Sequence, residues 1–432
     1  MSVLVLHQVG SVHAVPYDRW FADHDGDLLL LACPDNLARV GEQLPAPGAG
    51  YAHAEAVEGY DADGALEERV LDLAREHGIT HVLAAHERDL ERAAALREFL
   101  GLPGQTPDSV LPFRDKALMK RIAAAAGVRV AAHREIETAT DIVTFAAEHG
   151  YPVVLKPRDS AGSVGLYILE SPEQLDAYLT EEFDLYGEGQ PNLIAEEYVP
   201  GPLCHVDGLV LGGRTAMAWP SQYQYPLATF ATDTGPRIDL TLDPDDPLTR
   251  RLLDFTEQLL AALPGPENFA FHAEVFHTPD DELVLCEIAC RTGGAAIRDI
   301  VGLLFGADPT ESWLRAELGL PVSVPARRQA PEQAPGQEPE RSGLPLPRMM
   351  TGQLVLMKRP GRVLAVPEAA PDLPGIERFR VFVRPGQTMA AARTSSDFLC
   401  TVLVSGRDRA EVEDRLRQVE SWFLGELVLD AP

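Results

Sequence analysis

The sequence is short of basic residues: 37 Lys and Arg stand against 66 Asp and Glu in 432 residues, a formal net charge of −29. Phosphate-driven binding to nucleic acid or to an anionic membrane surface needs clustered Lys and Arg, so a broad surface of either kind is excluded. The deficit leaves room for a local basic pocket holding one polyphosphate. Cysteine is scarce as well. Cys33, Cys204, Cys286, Cys290 and Cys400 form no CxxC pair and show no regular spacing, so neither a disulfide framework nor a zinc ribbon is indicated. No apolar run reaches the ~18 residues of a membrane span. The opening MSVLVLHQVG lacks a basic leader and reads as a first strand. Gly10 follows that strand but no GxGxxG does, so a dinucleotide site is poorly supported. No internal repeat and no nucleophilic triad stand out. These absences predict an acidic, reduced, cytoplasmic protein without nucleic-acid or membrane partners.

What is there is ordinary for a folded chain, with 45% hydrophobic and 24% charged residues, so global disorder is excluded. The length suggests about three domains at roughly 150 residues each. Residues 1–108 alternate strand-like runs (Val3–His7, Leu28–Ala32, His81–Ala84) with helical spacing over Glu67–His77 and Glu87–Leu100, each closed by a glycine. That order predicts an open parallel α/β sheet. A helix follows in Arg114-DKALMKRIAAAAG, and the texture is then hairpin-rich to about residue 295. Residues 325–347 are Pro/Gln/Glu-rich and almost without large apolar groups, which predicts a loop or linker. Antiparallel strands and a helix at Arg409–Phe423 are expected beyond it.

Three segments carry chemistry. In Tyr151-PVVLKPRDSAGSVGLYIL a strand ends at Lys156 and small residues Ser160–Gly165 follow. Such a loop lets backbone N–H groups approach phosphate oxygens, with Lys156 as a fixed cation at its base. It is not a Walker A loop, because the lysine precedes the glycines and a strand follows them. An ordinary hairpin with a glycine-rich turn is the alternative. In Asn192-LIAEEYVPG an apolar strand exits through two acids into Pro200-Gly201, where backbone groups can meet a purine edge or the carboxylates can simply be solvated. The third segment is Phe269-AFHAEVFHTPDDELVLCEIACRTGG. If Thr278-PDD is a four-residue turn, His277 faces Glu282, Glu274 faces Leu285 and His272 faces Glu287. His272, Glu274, Leu285 and Glu287 then share one sheet face, with Glu274 and Glu287 as diagonal neighbours. Two carboxylates on an apolar face repel unless a cation sits between them, and hard oxygen ligands suit Mg²⁺. A turn of three or five residues flips every face.

Together these segments resemble the ATP-grasp superfamily, and most of all its amino-acid ligases, the carboxylate–amine ligases. The resemblance implies an N-terminal α/β pre-grasp domain (1–108), a lid-bearing half of the grasp (109–200), a metal- and substrate-binding half (201–322), a Pro-rich linker (323–348) and a C-terminal lobe (349–432). The implied fold class is mixed α/β and α+β, a two-lobed grasp with antiparallel sheets. Lys116 and Lys156 match the nucleotide-phosphate lysines, and Ser160, Gly162 and Ser163 fall in the phosphate-covering loop. Glu196, Glu197 and Val199 match the adenine hinge. Glu274 and Glu287 match the metal ligands, and Arg291 the arginine that steadies an acyl phosphate or substrate carboxylate. His272, Gln222, Tyr223, Tyr225, Gly293 and Gly294 are candidate substrate contacts. Two departures stand out: Ala289 replaces a common Asn ligand, and Gly201-Pro202-Leu203 lacks the acid that contacts ribose, for which Asp207 or His205 is a substitute. The implied chemistry consumes ATP with Mg²⁺ (or Mn²⁺), joins a small carboxylate to an amine through an acyl phosphate, and releases ADP and phosphate. A homodimer is common among such proteins. The rivals are biotin carboxylase-like carboxylation, another acyl-phosphate ligase, and nucleotide binding without turnover.

Overall fold

The computed structural model describes residues 2–46, 48–62, 64–183, 192–225, 235–327, 343–392 and 397–430. Strands Ser2–His7, Leu28–Ala32, His53–Ala56 and Ile79–Ala84 form a parallel sheet in which the first strand lies between the second and fourth. The first two strands are buried along their whole length, as apolar runs covered on both faces must be. Helices Ala65–His77 and Glu87–Leu100 stop at Gly78 and Gly101, both left-handed at φ 62° and 67°.

A second unit pairs strands His133–Ile136, Leu193–Glu197, Val153–Pro157 and Tyr167–Leu169 in an antiparallel sheet. The period-two pattern decides its faces. Val153 and Leu155 enter a core with Ile142 and Phe145 of helix Ala139–His149 and with Leu175 of helix Pro172–Glu181. Val154 and Lys156 are left on the opposite face.

An eight-stranded antiparallel sheet dominates the molecule. From edge to edge it runs Leu283–Ala289, Phe269–His277, Leu203–Leu211, Arg214–Tyr223, Arg237–Thr241, Met350–Met357, Phe398–Gly406 and Ile376–Val381. Residues after 349 therefore extend the same sheet, with helix Arg409–Glu426 packed against them through Val412, Leu416, Val419 and Phe423. Within the expected linker, residues 328–342 lie outside the described residues, while Leu344 is buried in the core and the Arg348 N–H donates to Leu304 O at 2.8 Å. A buried ion pair, Arg97–Glu317 at 3.3 Å, ties the N-terminal unit to helix Pro309–Glu317. No helix among the described residues is long and apolar enough to cross a membrane, and all five cysteines are free thiols.

Candidate active site

A cavity of about 920 Å³ opens between the small antiparallel sheet and the near edge of the large one. One end is apolar: Ala131, Val154, Ile168, Leu203, Phe276 and Leu285 form the walls of a slot, and the backbone from Glu196 to Val199 passes its rim. Gly201 turns the chain just beyond, at φ 114°, where a Cβ would lie 2.2 Å from His277 O. Only glycine lets this exit pack on the hairpin tip.

The other end is charged. Lys116 opens helix Lys116–Ala125, capped by Asp115, whose carboxylate accepts from Ala117 N and Leu118 N. The Lys116 Nζ donates to Ser160 O at 2.6 Å and lies 3.3 Å from Glu287 Oε2. It therefore bridges the base of the small-residue loop to the strand that carries Glu287. Ser160, Gly162 and Ser163 line the cavity, and Ser163 itself is left-handed at φ 59°. Lys156 also reaches the cavity. Its Nζ is 3.0 Å from Glu196 Oε2. Burial opposes the Lys156 charge, but Glu196 and Glu287 hold its pKa above the ordinary lysine value. The Glu196 side chain, expected at an adenine hinge, is thus occupied by lysines, leaving only its backbone for a ligand.

The hairpin register departs from expectation in two places that compensate. The turn has three residues: Thr278 N–H donates to Glu282 O at 2.9 Å, and Asp281 is left-handed at φ 62°. His277 consequently pairs with Leu283, and Val275, not Glu274, pairs with Leu285. That shift alone puts the faces the wrong way round. A bulge between Glu274 and Val275 then skips Cys286, so Glu274 faces Glu287 directly and His272 faces Ala289. The two carboxylates are cross-strand partners on the cavity wall, closer than the diagonal placement expected. Burial opposes ionisation of Glu287, yet Lys116 and Lys156 keep its pKa well below the usual carboxylate range. Facing hard-oxygen donors beside two lysines fit Mg²⁺ with phosphate.

Asp207, His272, Arg291, Gly293 and Gly294 do not line the cavity. The expectation of Asp207 at a ribose is corrected. Its carboxylate is buried between His205 Nδ1 at 2.5 Å and His272 Nδ1 at 2.8 Å. His205 Nε2 reaches Asp239 at 2.9 Å, and His272 Nε2 lies 3.4 Å from Glu274 Oε1. Every ring nitrogen faces a carboxylate. Burial works against protonation, but Asp207 and Glu274 push His272 up to about 9, and Asp239 with Asp207 raises His205 well above its ordinary value. This ion chain lies on the same sheet face as Glu274 and continues from Asp239 to Gln353 Nε2 at 3.0 Å. Gly293 packs against His272 and Ile297. Arg291 is turned to the N-terminal unit, where its Nε donates to Glu87 Oε2 at 2.8 Å, and Arg114 holds the other oxygen at 2.5 Å. Gln222, Tyr223 and Tyr225 do line the cavity, with the Gln222 amide oxygen taken by Arg409 at 2.7 Å and the Tyr223 ring tilted against His205 at 4.6 Å. Residues 226–230 of the stretch expected to meet substrate lie outside the described residues.

A model of the L-amino acid ligase C-terminal domain 2 matches residues 353–421, and one of the carbamoyl-phosphate synthase L chain ATP-binding domain matches residues 115–212. The crystal structure of an L-amino acid ligase from Bacillus licheniformis superposes with a TM-score of 0.72 at 16% identity, covering 100% of this chain and 98% of that one. The fold is that of the ATP-grasp L-amino-acid ligases. The biotin carboxylase domain of a Hydrogenobacter thermophilus 2-oxoglutarate carboxylase, solved with MgADP and bicarbonate, shares this ATP-grasp architecture at a TM-score of 0.67 and 17% identity over 99% and 90% of the two chains. In sequence, the L-arginine-specific L-amino acid ligase of Bacillus subtilis is 25% identical over 256 residues. That match takes in 58% of this chain and 60% of the relative's length.

Three residues outside the cavity lining pair with the candidate residues or their partners and were not singled out in the sequence: Glu87, Arg114 and Lys120. Glu87 comes from a separate segment that no local pattern marks, whereas Arg114 opens the same RDKALMK run as Lys116. Lys120 is one helical turn beyond Lys116, fully buried, and its spacing within RDKALMK was the available signal.

Proposed function

We propose that the protein is an ATP-dependent ligase that joins a small-molecule carboxylate to an amine, forming a dipeptide-like amide and releasing ADP and phosphate. The facing pair Glu274 and Glu287, placed with Lys116 and Lys156 at the charged end of a cavity whose other end is an apolar slot, carries this reading. Adenine fits the slot against the backbone of Glu197 and Val199, and the polyphosphate fits the lysine end. Mg²⁺ on the two glutamates, when bound, supplies charge neutralisation between phosphate oxygens. The two lysines lower the repulsion between an anionic carboxylate and the γ-phosphate, and Ser160–Gly165 covers the phosphates against water. Arg291, paired with Glu87, is poised beside this end to exchange that partner for an acyl phosphate or substrate carboxylate. Free thiols and an acidic surface fit a reduced cytoplasm, and a homodimer is the assembly we expect.

The test is phosphate release from MgATP with pooled L-amino acids, followed by mass spectrometry of single acid–amine pairs, with bicarbonate as a separate arm. Amide products with stoichiometric ADP are expected. Phosphate release with bicarbonate alone points to a carboxylase, and MgADP binding without turnover on any pair points to a nucleotide-binding protein.

A further inference from the structure

The register that puts Glu274 opposite Glu287 depends on the bulge at Cys286. Without it the pairing at Leu285 would continue, and Glu287 would oppose Ala273 on the other face. A bulge interrupts the ladder and leaves backbone groups in need of partners. Here the partner is a lysine. Lys120, fully buried in helix Lys116–Ala125, donates from Nζ to Cys286 O at 2.9 Å and to Leu285 O at 3.2 Å. Its third neighbour is Glu196 Oε1 at 3.4 Å, the same carboxylate that holds Lys156. Lys116 and Lys120, four residues apart on one helix face, thus straddle the irregularity: one holds the Glu287 carboxylate, the other the two carbonyls just before it. Leu285 N–H is taken up in turn by Arg129 O at 2.9 Å, so the bulge is clamped from both sides.

We propose that Lys120 is a positioning residue: by holding the bulge at Leu285–Cys286 it sets the register of the two metal-binding glutamates and locks it to the Lys156 end of the cleft. Lys120 does not line the cavity and acts through Glu287 and Glu196, which do. The inference rests on the reading of Glu274 and Glu287 as a divalent-cation site.

The test compares Lys120→Met, which removes both charge and donors, with Lys120→Gln, which keeps amide donors for the two carbonyls. Two bindings are measured on the full chain: ADP in EDTA by calorimetry, and Mn²⁺ in the presence of ADP by electron paramagnetic resonance. In Lys120→Met, ADP affinity without metal should stay within about threefold of the parent, while Mn²⁺ binding weakens at least tenfold. Lys120→Gln should recover part of that loss. Mn²⁺ affinity within twofold of the parent in folded Lys120→Met overturns the inference, as does an equal loss of metal-free ADP binding, which marks a general packing role. If Lys120→Met does not fold, Lys120→Gln decides: a threefold or greater loss of Mn²⁺ affinity supports the inference, and a smaller one overturns it. A parent chain that binds no Mn²⁺ with ADP overturns the functional reading and this inference together, whereas Mn²⁺ binding that survives in Lys120→Met overturns this inference alone.

Discussion

Replacing Glu196 by Gln preserves its shape and deletes the charge shared by two buried lysines. Glu196 is 5% exposed, Lys120 0% and Lys156 6%, with separations of 3.4 and 3.0 Å. At an effective dielectric of about 20, each contact is worth roughly 5 kcal/mol of Coulomb attraction, offset by the desolvation of three groups. Removing one partner of a buried ion pair leaves its mate uncompensated and typically costs about 3–5 kcal/mol. Glu196→Gln should therefore lose stability of that order at pH 7, read by urea denaturation. The loss should depend on pH in one direction. Burial already lowers the Lys120 pKa, and Glu196 is the main group raising it back. Without Glu196 the folded pKa falls further below the ~10.4 of an unfolded lysine, so between those values the unfolded chain binds more protons. Stability of the variant then rises with pH relative to the parent, and the deficit at pH 9 is smaller than at pH 7. A deficit under about 1 kcal/mol, or one that grows with pH, refutes the account of Glu196 as the hub of this cluster.

Glu287→Gln removes a carboxylate 3.3 Å from Lys116 while leaving the fold intact, and ATP-dependent phosphate release should fall by roughly 100-fold. Near-parental turnover would show the metal assignment to be wrong. In the N-terminal unit, burial pushes the Asp89 carboxyl up to about 7, although the Tyr60 hydroxyl at 3.1 Å and Gln8 N–H at 3.0 Å donate to it. The folded chain holds that proton between about pH 4 and 7 while the unfolded chain releases it, so stability falls as pH rises through this window. Asp89→Asn should gain about 3 kcal/mol over the parent between pH 5 and 8 at ~1.4 kcal/mol per pH unit, and a pH-independent difference would contradict the shift.

Local patterns carried the elements that repeat a period. Five apolar residues in Leu28–Ala32 specify a covered strand, and the helix over Glu87–Leu100 is legible from its spacing and from the glycine that closes it. Lys156 at a strand end before small residues is legible for the same reason, because alternation alone assigns it the face opposite Val153 and Leu155. The hairpin register was not. Thr278 still pairs with Glu282, and Asp281 accepts a left-handed backbone, so a four-letter turn closes as three. The bulge that restores the carboxylates to one face is held by Lys120 from a helix more than 160 residues earlier in the chain.

The sequence by itself determined which chemistry is available: few cations, a small-residue loop behind a lysine, and two glutamates flanking one hairpin. Those are properties of residue type and short-range spacing, where periodicity acts directly. The tertiary structure alone decided where that chemistry converges. It closed the bulge that turns Glu287 toward Glu274, withdrew Glu196 and Asp207 into ion clusters, and set Arg291 on Glu87. A backbone carbonyl or a buried charge takes whatever partner the packed fold brings within about 3 Å, and distance along the chain does not specify that partner.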